Sequence, residues 1–252
     1  MEISEYKNIY ENERAHWWYV SLHEYVKQII LDYQKRSSKE LRVCDAGCGT
    51  GGLLLQLQDL EGLSLSGFDY STEAIKFCWL RGLTFTKQGS ILNIPYGNSC
   101  FDVVISIDVV YLIEKALHAQ AMAELFRVLK PGGLLVIQLA AYEWLRSGHD
   151  AIVHTKHRFT CPELEELAEQ AGFVRLRIGY RLAMLFPLAV LQRVMEHFQQ
   201  APTSGIQPAH PLVNKLLLSI MRVENLLLKR IHFPFGLSVV GTFKKPFGIN
   251  SP

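Results

Sequence analysis

The run Val43-Cys44-Asp45-Ala46-Gly47-Cys48-Gly49-Thr50-Gly51-Gly52 constrains the fold more than any other stretch of the chain. A short apolar strand ends there in a glycine turn that opens a helix. Glycines at such a turn let the backbone approach a ligand and aim amide N–H groups from the positive end of the helix. Gly47, Gly49 and Gly52 satisfy the G-x-G-x-x-G spacing, so the turn alone admits a nicotinamide dinucleotide or another adenosine-containing ligand. Asp45 stands just before the first glycine, where a carboxylate repels a pyrophosphate and attracts an ammonium or sulfonium cation. Asp69, at the end of the next apolar run, suits ribose hydroxyls with either ligand.

The same alternation continues along the chain. Strands are predicted at Leu41 to Asp45, Leu63 to Asp69, Leu83 to Lys87, Phe101 to Ile107, Leu134 to Ala140, Phe173 to Tyr180 and Gly236 to Lys245. Helices are predicted at Gly52 to Gln58, Ser71 to Arg81 and Glu114 to Leu129, the last closed by Lys130, Pro131 and Gly132. A further helix opens with Thr160 or Cys161 as cap and Pro162 in its first turn, and stops at Gly172. The N-terminal stretch from Ser4 to Tyr33 reads as one long helix, because Trp18, Leu22, Tyr25, Val26, Ile29 and Tyr33 recur on one face. Strands alternating with helices describe an α/β fold with a parallel sheet covered by helices.

Composition narrows the partners. The 252 residues, 49% hydrophobic, suffice for one sizeable core. Lys plus Arg number 26 against 24 for Asp plus Glu, and no segment gathers the basic stripe that nucleic acids require, so no nucleic acid partner is expected. The longest uncharged apolar stretches, such as Gly132 to Tyr142 and Leu182 to Gln192, fall short of the roughly 20 residues that span a bilayer. Met1 to Tyr10 is polar where a secretory signal would be apolar, so a cytoplasmic location is expected. Five cysteines form no C-x-x-C pair, so neither a disulfide framework nor a metal site is expected.

The stretch from Arg181 to Phe235 is far longer than the roughly two to five residues of a hairpin connection. It holds an apolar run broken by Pro187, a loop with Pro202, Gly205, Pro208 and Pro211, and a Leu-rich helix from Leu212 to Ile231. Its apolar side chains must pack on the domain, cover a hydrophobic substrate, meet a second subunit or touch a membrane surface. The interleaved Arg193, Lys215, Arg222, Lys229 and Arg230 suit the last of these. A monomer or homodimer is expected.

Asp45-Ala46-Gly47-Cys48-Gly49-Thr50-Gly51, Asp69, Phe101-Asp102-Val103-Val104 and Leu129-Lys130-Pro131-Gly132-Gly133, taken in order, resemble the class I S-adenosylmethionine-dependent methyltransferases. Glu13-Arg14-Ala15-His16-Trp17-Trp18 and Pro234-Phe235-Gly236-Leu237-Ser238 are similar to a bacterial subgroup acting on small molecules. The resemblance implies a Rossmann-like seven-stranded sheet whose last strand is antiparallel, formed by residues 37–181 and 236–246. It also implies an N-terminal helical lid over 1–36 and a cap over the acceptor site from 182–235. The methionine part of S-adenosylmethionine would lie against Asp45, Gly47, Cys48, Gly49 and Gly51, the ribose on Asp69 with Tyr70 stacking nearby. The adenine would sit near Ser90 and Ile91, and Ser106 to Asp108 would flank the methyl-donor end. Two positions depart from the family: Ser90 replaces an acidic residue that often holds the adenine amine, and Leu112 stands where His is common.

For the acceptor side, His149 and His154 lie where the family closes its pocket, and with Tyr111 they are the candidate proton acceptors. Trp17, Trp18, Tyr142 and Arg158 are candidate acceptor-binding residues. The expected reaction is methyl transfer to an oxygen, nitrogen or carbon of a small, partly hydrophobic molecule, such as a secondary metabolite or lipid-linked sugar, releasing S-adenosylhomocysteine. A nicotinamide-dependent oxidoreductase and a cofactor-binding protein without turnover are the alternatives.

Overall fold

Leu41–Ala46 (β1), Leu63–Asp69 (β2), Thr86–Gln88 (β3), Phe101–Ile107 (β4), Leu129–Ala140 (β5), Val174–Arg181 (β6) and Ser238–Lys244 (β7) build one sheet in the order β3-β2-β1-β4-β5-β7-β6. The computed structural model describes residues 3–37, 39–191 and 210–247. Neighbouring strands are parallel except where β7 runs antiparallel between β5 and β6. The expected seven-stranded sheet with an antiparallel last strand is therefore present. The strand order reverses between β1 and β4, and the crevice at their carboxyl ends is where open α/β sheets bind ligands.

Eight helices are bounded within the described residues: Ile3–Asn12 (α1), Trp17–Gln34 (α2), Gly52–Leu57 (α3), Thr72–Leu80 (α4), His118–Val128 (α5), Gly148–Val153 (α6), Cys161–Gln170 (α7) and Pro211–Leu227 (α8). Residues 186–191 are also helical. Alternation along the strands divides the core between two faces. Val43, Ile105 and Val136 meet Leu22, Val26 and Ile30 of α2, whereas Cys44, Val104 and Ile137 share the other face with Met122, Leu125 and Leu164 of α5 and α7. Each buried aliphatic side chain stabilises this packing by about 1.5–3 kcal/mol relative to exposure. The start of α7 matches its sequence signature: Glu163 accepts from the Thr160 amide at 2.7 Å in a capping box, with Pro162 behind it.

Three local expectations need correction. The single N-terminal helix is two helices, broken at 13–16, because Glu13 turns inward to accept from the Thr50 hydroxyl and Arg81 while His16 caps α2. Lys130, Pro131 and Gly132 do not close a helix; they belong to β5, which starts at Leu129. Lys130 Nζ there meets Asp102 Oδ2 at 2.7 Å, and the Gly132 amide donates to the Lys245 carbonyl at 2.8 Å. The stretch from Glu114 begins with a 3-10 turn at Lys115–Leu117 before α5. In the insertion, the helix predicted from Leu212 is α8, with Pro211 in its first turn. The loop carrying Pro202, Gly205 and Pro208 lies outside the described residues.

Candidate active site

The glycine turn joins β1 to α3 in a conformation that needs its glycines. Gly47, Gly49 and Gly51 are left-handed, with φ of +92°, +53° and +84°. A Cβ on Gly47 would come within 2.2 Å of a Val109 methyl, so the segment after β4 packs directly on the turn. The Gly47 and Cys48 amides donate to the Phe68 carbonyl at 2.8 and 2.9 Å, hanging the turn from the end of β2. Asp69 completes that link: its carboxylate accepts from the Gly49 and Ser71 amides, both at 2.9 Å.

Three carboxyl groups, Asp45, Asp69 and Glu13, gather at this turn, and Asp108 lies at the end of the neighbouring strand. Asp45, 3% exposed, is pushed up to about 7 by burial and then by the charges of Asp69 and Glu13. Burial also raises Asp69 and Glu13, against the bonds that favour their ionised forms. Asp108, at the end of β4 with φ +57°, donates its amide to the Gln138 carbonyl at 2.9 Å and accepts from Gln138 Nε2 at 3.1 Å. Burial pushes its carboxyl up to about 7 as well, opposed by Gln138, Arg181 and Arg158. A desolvated carboxylate that no cation compensates, as at Asp45, drifts toward neutrality, so a positive charge entering beside it restores its ionised form.

The remaining cofactor-side residues divide. Cys48 is buried with its sulfur 3.9 Å from Cys78 Sγ, and Ile91 is part of the core. Ser90 Oγ accepts from the Leu92 amide at 3.1 Å, and Ser106 Oγ is buried without a partner. Tyr70, 79% exposed, points to solvent. From the N-terminal side, Arg81 bonds Glu13 and donates to the Tyr10 carbonyl at 2.8 Å, bringing the end of α1 against the turn.

On the acceptor side, Tyr142 follows β5 with φ +54° and stacks on Tyr180 at 5.0 Å and 18°. Trp144, Phe186 and Phe235 extend this into an aromatic cluster, with Phe186 5.2 Å from Phe235. The Tyr111 carbonyl accepts from the Lys156 and His157 amides, and burial, then Asp108, holds its phenol well above the ordinary range. His154 is exposed at the end of α6 with φ +62°, whereas the side chain of His149 lies outside the described residues. Arg158 grips Asp150 at 2.9 and 3.0 Å and donates to the Ala141 carbonyl at 2.8 Å. Trp17 donates its amide to Asn214 Oδ1 at 2.9 Å, and both tryptophans pack on Leu182, Leu185 and Met221 of the insertion.

The structure brings Asp45, Asp69, Asp108 and the glycines to the same end of the sheet, and beside them it adds Gln138, Glu13, Trp144, Phe186 and Phe235, which sequence reading did not single out as site residues. Gln138 had a signal, as the lone polar residue within the apolar run of β5.

A sequence profile for a methyltransferase domain matches residues 37–176, more than half of the chain. The chain belongs to the methyltransferase-domain family. The chain is also similar to the sterol 24-C-methyltransferase of Schizosaccharomyces pombe, 32% identical over 140 residues, which are 51% of this chain and 34% of that protein. The phthiotriol/phenolphthiotriol dimycocerosates methyltransferase of Mycobacterium leprae is 36% identical over 99 residues, 37% of this chain and 36% of that one. The matched stretch thus spans about a third of each relative. Over the whole fold, a SAM-dependent methyltransferase of Thermotoga maritima superposes with a TM-score of 0.61 at 19% identity, covering 96% of both chains. This family membership removes the nicotinamide alternative that the glycine spacing left open.

The donor set also fits S-adenosylmethionine on its own terms. A sulfonium suits the desolvated carboxyl groups of Asp45 and Asp108, and Asp69 offers acceptor oxygens at the end of β2.

Proposed function

We propose that this methyltransferase-domain protein transfers a methyl group from S-adenosylmethionine to an oxygen, nitrogen or carbon of a small hydrophobic acceptor. The observation that carries the reading is the pair of carboxyl groups at the glycine turn, Asp45 buried just before it and Asp69 accepting from the Gly49 amide at 2.9 Å. Such a pair disfavours a pyrophosphate and favours a cation. The bound cofactor supplies an electrophilic methyl on a sulfonium. Asp45 and the amides from Gly47 to Gly51 hold its amino-acid end, Asp69 its ribose, Ser90 and Ile91 the edge of its adenine, and Ser106 to Asp108 flank the reacting end.

The aromatic cluster at Tyr142 forms the apolar wall that orients the acceptor and excludes water, which supplies much of the acceleration of an in-line displacement. Where the acceptor must lose a proton, Asp108 takes it, because the adjacent sulfonium favours its ionised form and a carboxylate accepts a proton. His149 and His154 are the alternative bases, and Tyr111, held protonated, donates a hydrogen bond instead. The described parts of residues 1–36 form a lid and those of 182–235 flank the acceptor, and the proposed location is cytoplasmic. The sterol and dimycocerosate substrates named for the two relatives support the hydrophobic acceptor class.

Calorimetric titration with S-adenosylmethionine, S-adenosylhomocysteine and NAD tests the first half. Micromolar binding of the first two, with none of NAD, is expected, and the reverse pattern overturns the proposal. Release of S-adenosylhomocysteine in a panel of sterol, prenyl and phenolic acceptors then separates an enzyme from a binding protein.

A further inference from the structure

Only part of α8 is buried. Asn214 Nδ2 donates to the Ala15 carbonyl at 2.9 Å, Glu224 accepts from the Leu182 and Met184 amides at 2.5 and 2.8 Å, and Met221 and Leu228 are core. The opposite side is apolar and open: Leu212, Leu216, Val223 and Leu226 are 71, 61, 48 and 66% exposed. At 3.6 residues per turn these positions share one arc, widened by Val213 and Leu227. Lys215, Arg222 and Lys229, seven residues apart, run along one border of it, and Arg230 lies at its end. Glu224, the only acidic residue from 211 to 233, is turned inward. A groove of about 500 Å³ between α2, α8 and β6 opens along that basic border, with Leu176 and Leu226 beside Arg177 and Lys229 in its wall.

We propose that this face of α8 docks on an anionic lipid surface, lying in the interface with its leucines among the acyl chains and its cations at the headgroups. No helix among the described residues is long and apolar enough to cross a membrane, so the contact is peripheral. Charge separates this occupant from a second copy of the chain. A facing α8 would set cations against cations, and the neighbouring Glu24 is already taken by Arg222 at 2.6 and 3.0 Å. The apolar arc is also broader than the two-position seam of a helix pair. The inference stands on the surface alone and is independent of the methyl-transfer chemistry.

Sedimentation of the full chain with vesicles tests it, comparing pure phosphatidylcholine with phosphatidylcholine carrying about 30% phosphatidylglycerol. Binding to the anionic vesicles is expected to exceed that to the neutral ones by about tenfold or more, and to weaken at about 0.5 M salt. The combined Lys215→Glu, Lys229→Glu, Arg230→Glu variant and, separately, Leu216→Asp should lose it while keeping the melting temperature of the parent. Equal partition to both vesicles, or none to either, overturns the proposal. So does a dimer by light scattering that Leu216→Asp converts to monomer, which would make the face an interface between copies.

Discussion

The Gly49 amide donates to Asp69 Oδ2 at 2.9 Å, so the tip of the glycine turn and the end of β2 are held as one unit. The other oxygen of Asp69 accepts from the Ser71 amide at 2.9 Å at the start of α4. The carboxylate is thereby aimed before any nucleoside arrives, and its loss affects both ligand and scaffold. Asp69→Ala is expected to weaken S-adenosylmethionine and S-adenosylhomocysteine together by about 10- to 100-fold, the worth of one charged hydrogen bond. Calorimetry on protein verified as folded checks this, and unchanged affinity would remove the ribose from Asp69.

The glycines of the turn differ in what surrounds them. Gly47 combines φ +92° with a Val109 methyl 2.2 Å from where a Cβ would lie, whereas Gly49 has φ +53° and nothing within 4 Å. Gly47→Ala is expected to cost about 2–4 kcal/mol and Gly49→Ala about 1–2 kcal/mol. Thermal unfolding of the two variants side by side reads the difference, and equal losses would mean that Val109 moves freely away.

The carboxyl cluster makes both stability and affinity depend on pH. Asp45 and Asp108 titrate at about 7 in the fold, against about 3.9 for an unfolded aspartate. Between those values the folded chain holds protons that the unfolded chain has released. Their contribution is therefore fully present below about pH 4 and is lost as pH rises through 7. A cation reverses the preference, so S-adenosylmethionine is expected to bind more tightly at pH 8 than at pH 6, by about tenfold, with a smaller change for S-adenosylhomocysteine, which keeps the ammonium for Asp45 but has no sulfonium for Asp108. Identical pH profiles for the two ligands would place the sulfonium away from Asp108.

Arg158, in the loop after α6, forms a buried pair with Asp150 of α6 and also donates to the Ala141 carbonyl just past the end of β5. Arg158→Met leaves Asp150 uncompensated and is expected to destabilise the protein by about 3–5 kcal/mol, while Asp150→Asn with Arg158→Met together recovers part of that loss. Denaturant unfolding of the cycle measures the coupling. Unchanged stability in the single variant would free Arg158 for a role in acceptor binding.

Much of this protein is written locally. The short apolar runs placed all seven strands and the period-3.6 patterns most helices, because a strand covered on both faces is apolar throughout while a helix turns one stripe to the core. Thr160 with Glu163 announced α7 through contacts three residues apart. The order Asp45, Gly47, Gly49, Asp69 was enough to mark the end of the sheet where the proposed cofactor site lies. What the chain could not disclose locally are pairings between residues far apart in sequence. The break before α2 depends on Glu13 reaching Thr50 and Arg81, and the fate of Lys130 to Gly132 depends on Lys245 and Asp102. Gln138 meets Asp108, Tyr142 meets Tyr180, and Trp17 meets Asn214 only once the sheet is assembled. The charge state of Asp45 and Asp108 is likewise a tertiary property, since it follows from how completely the folded chain removes them from water.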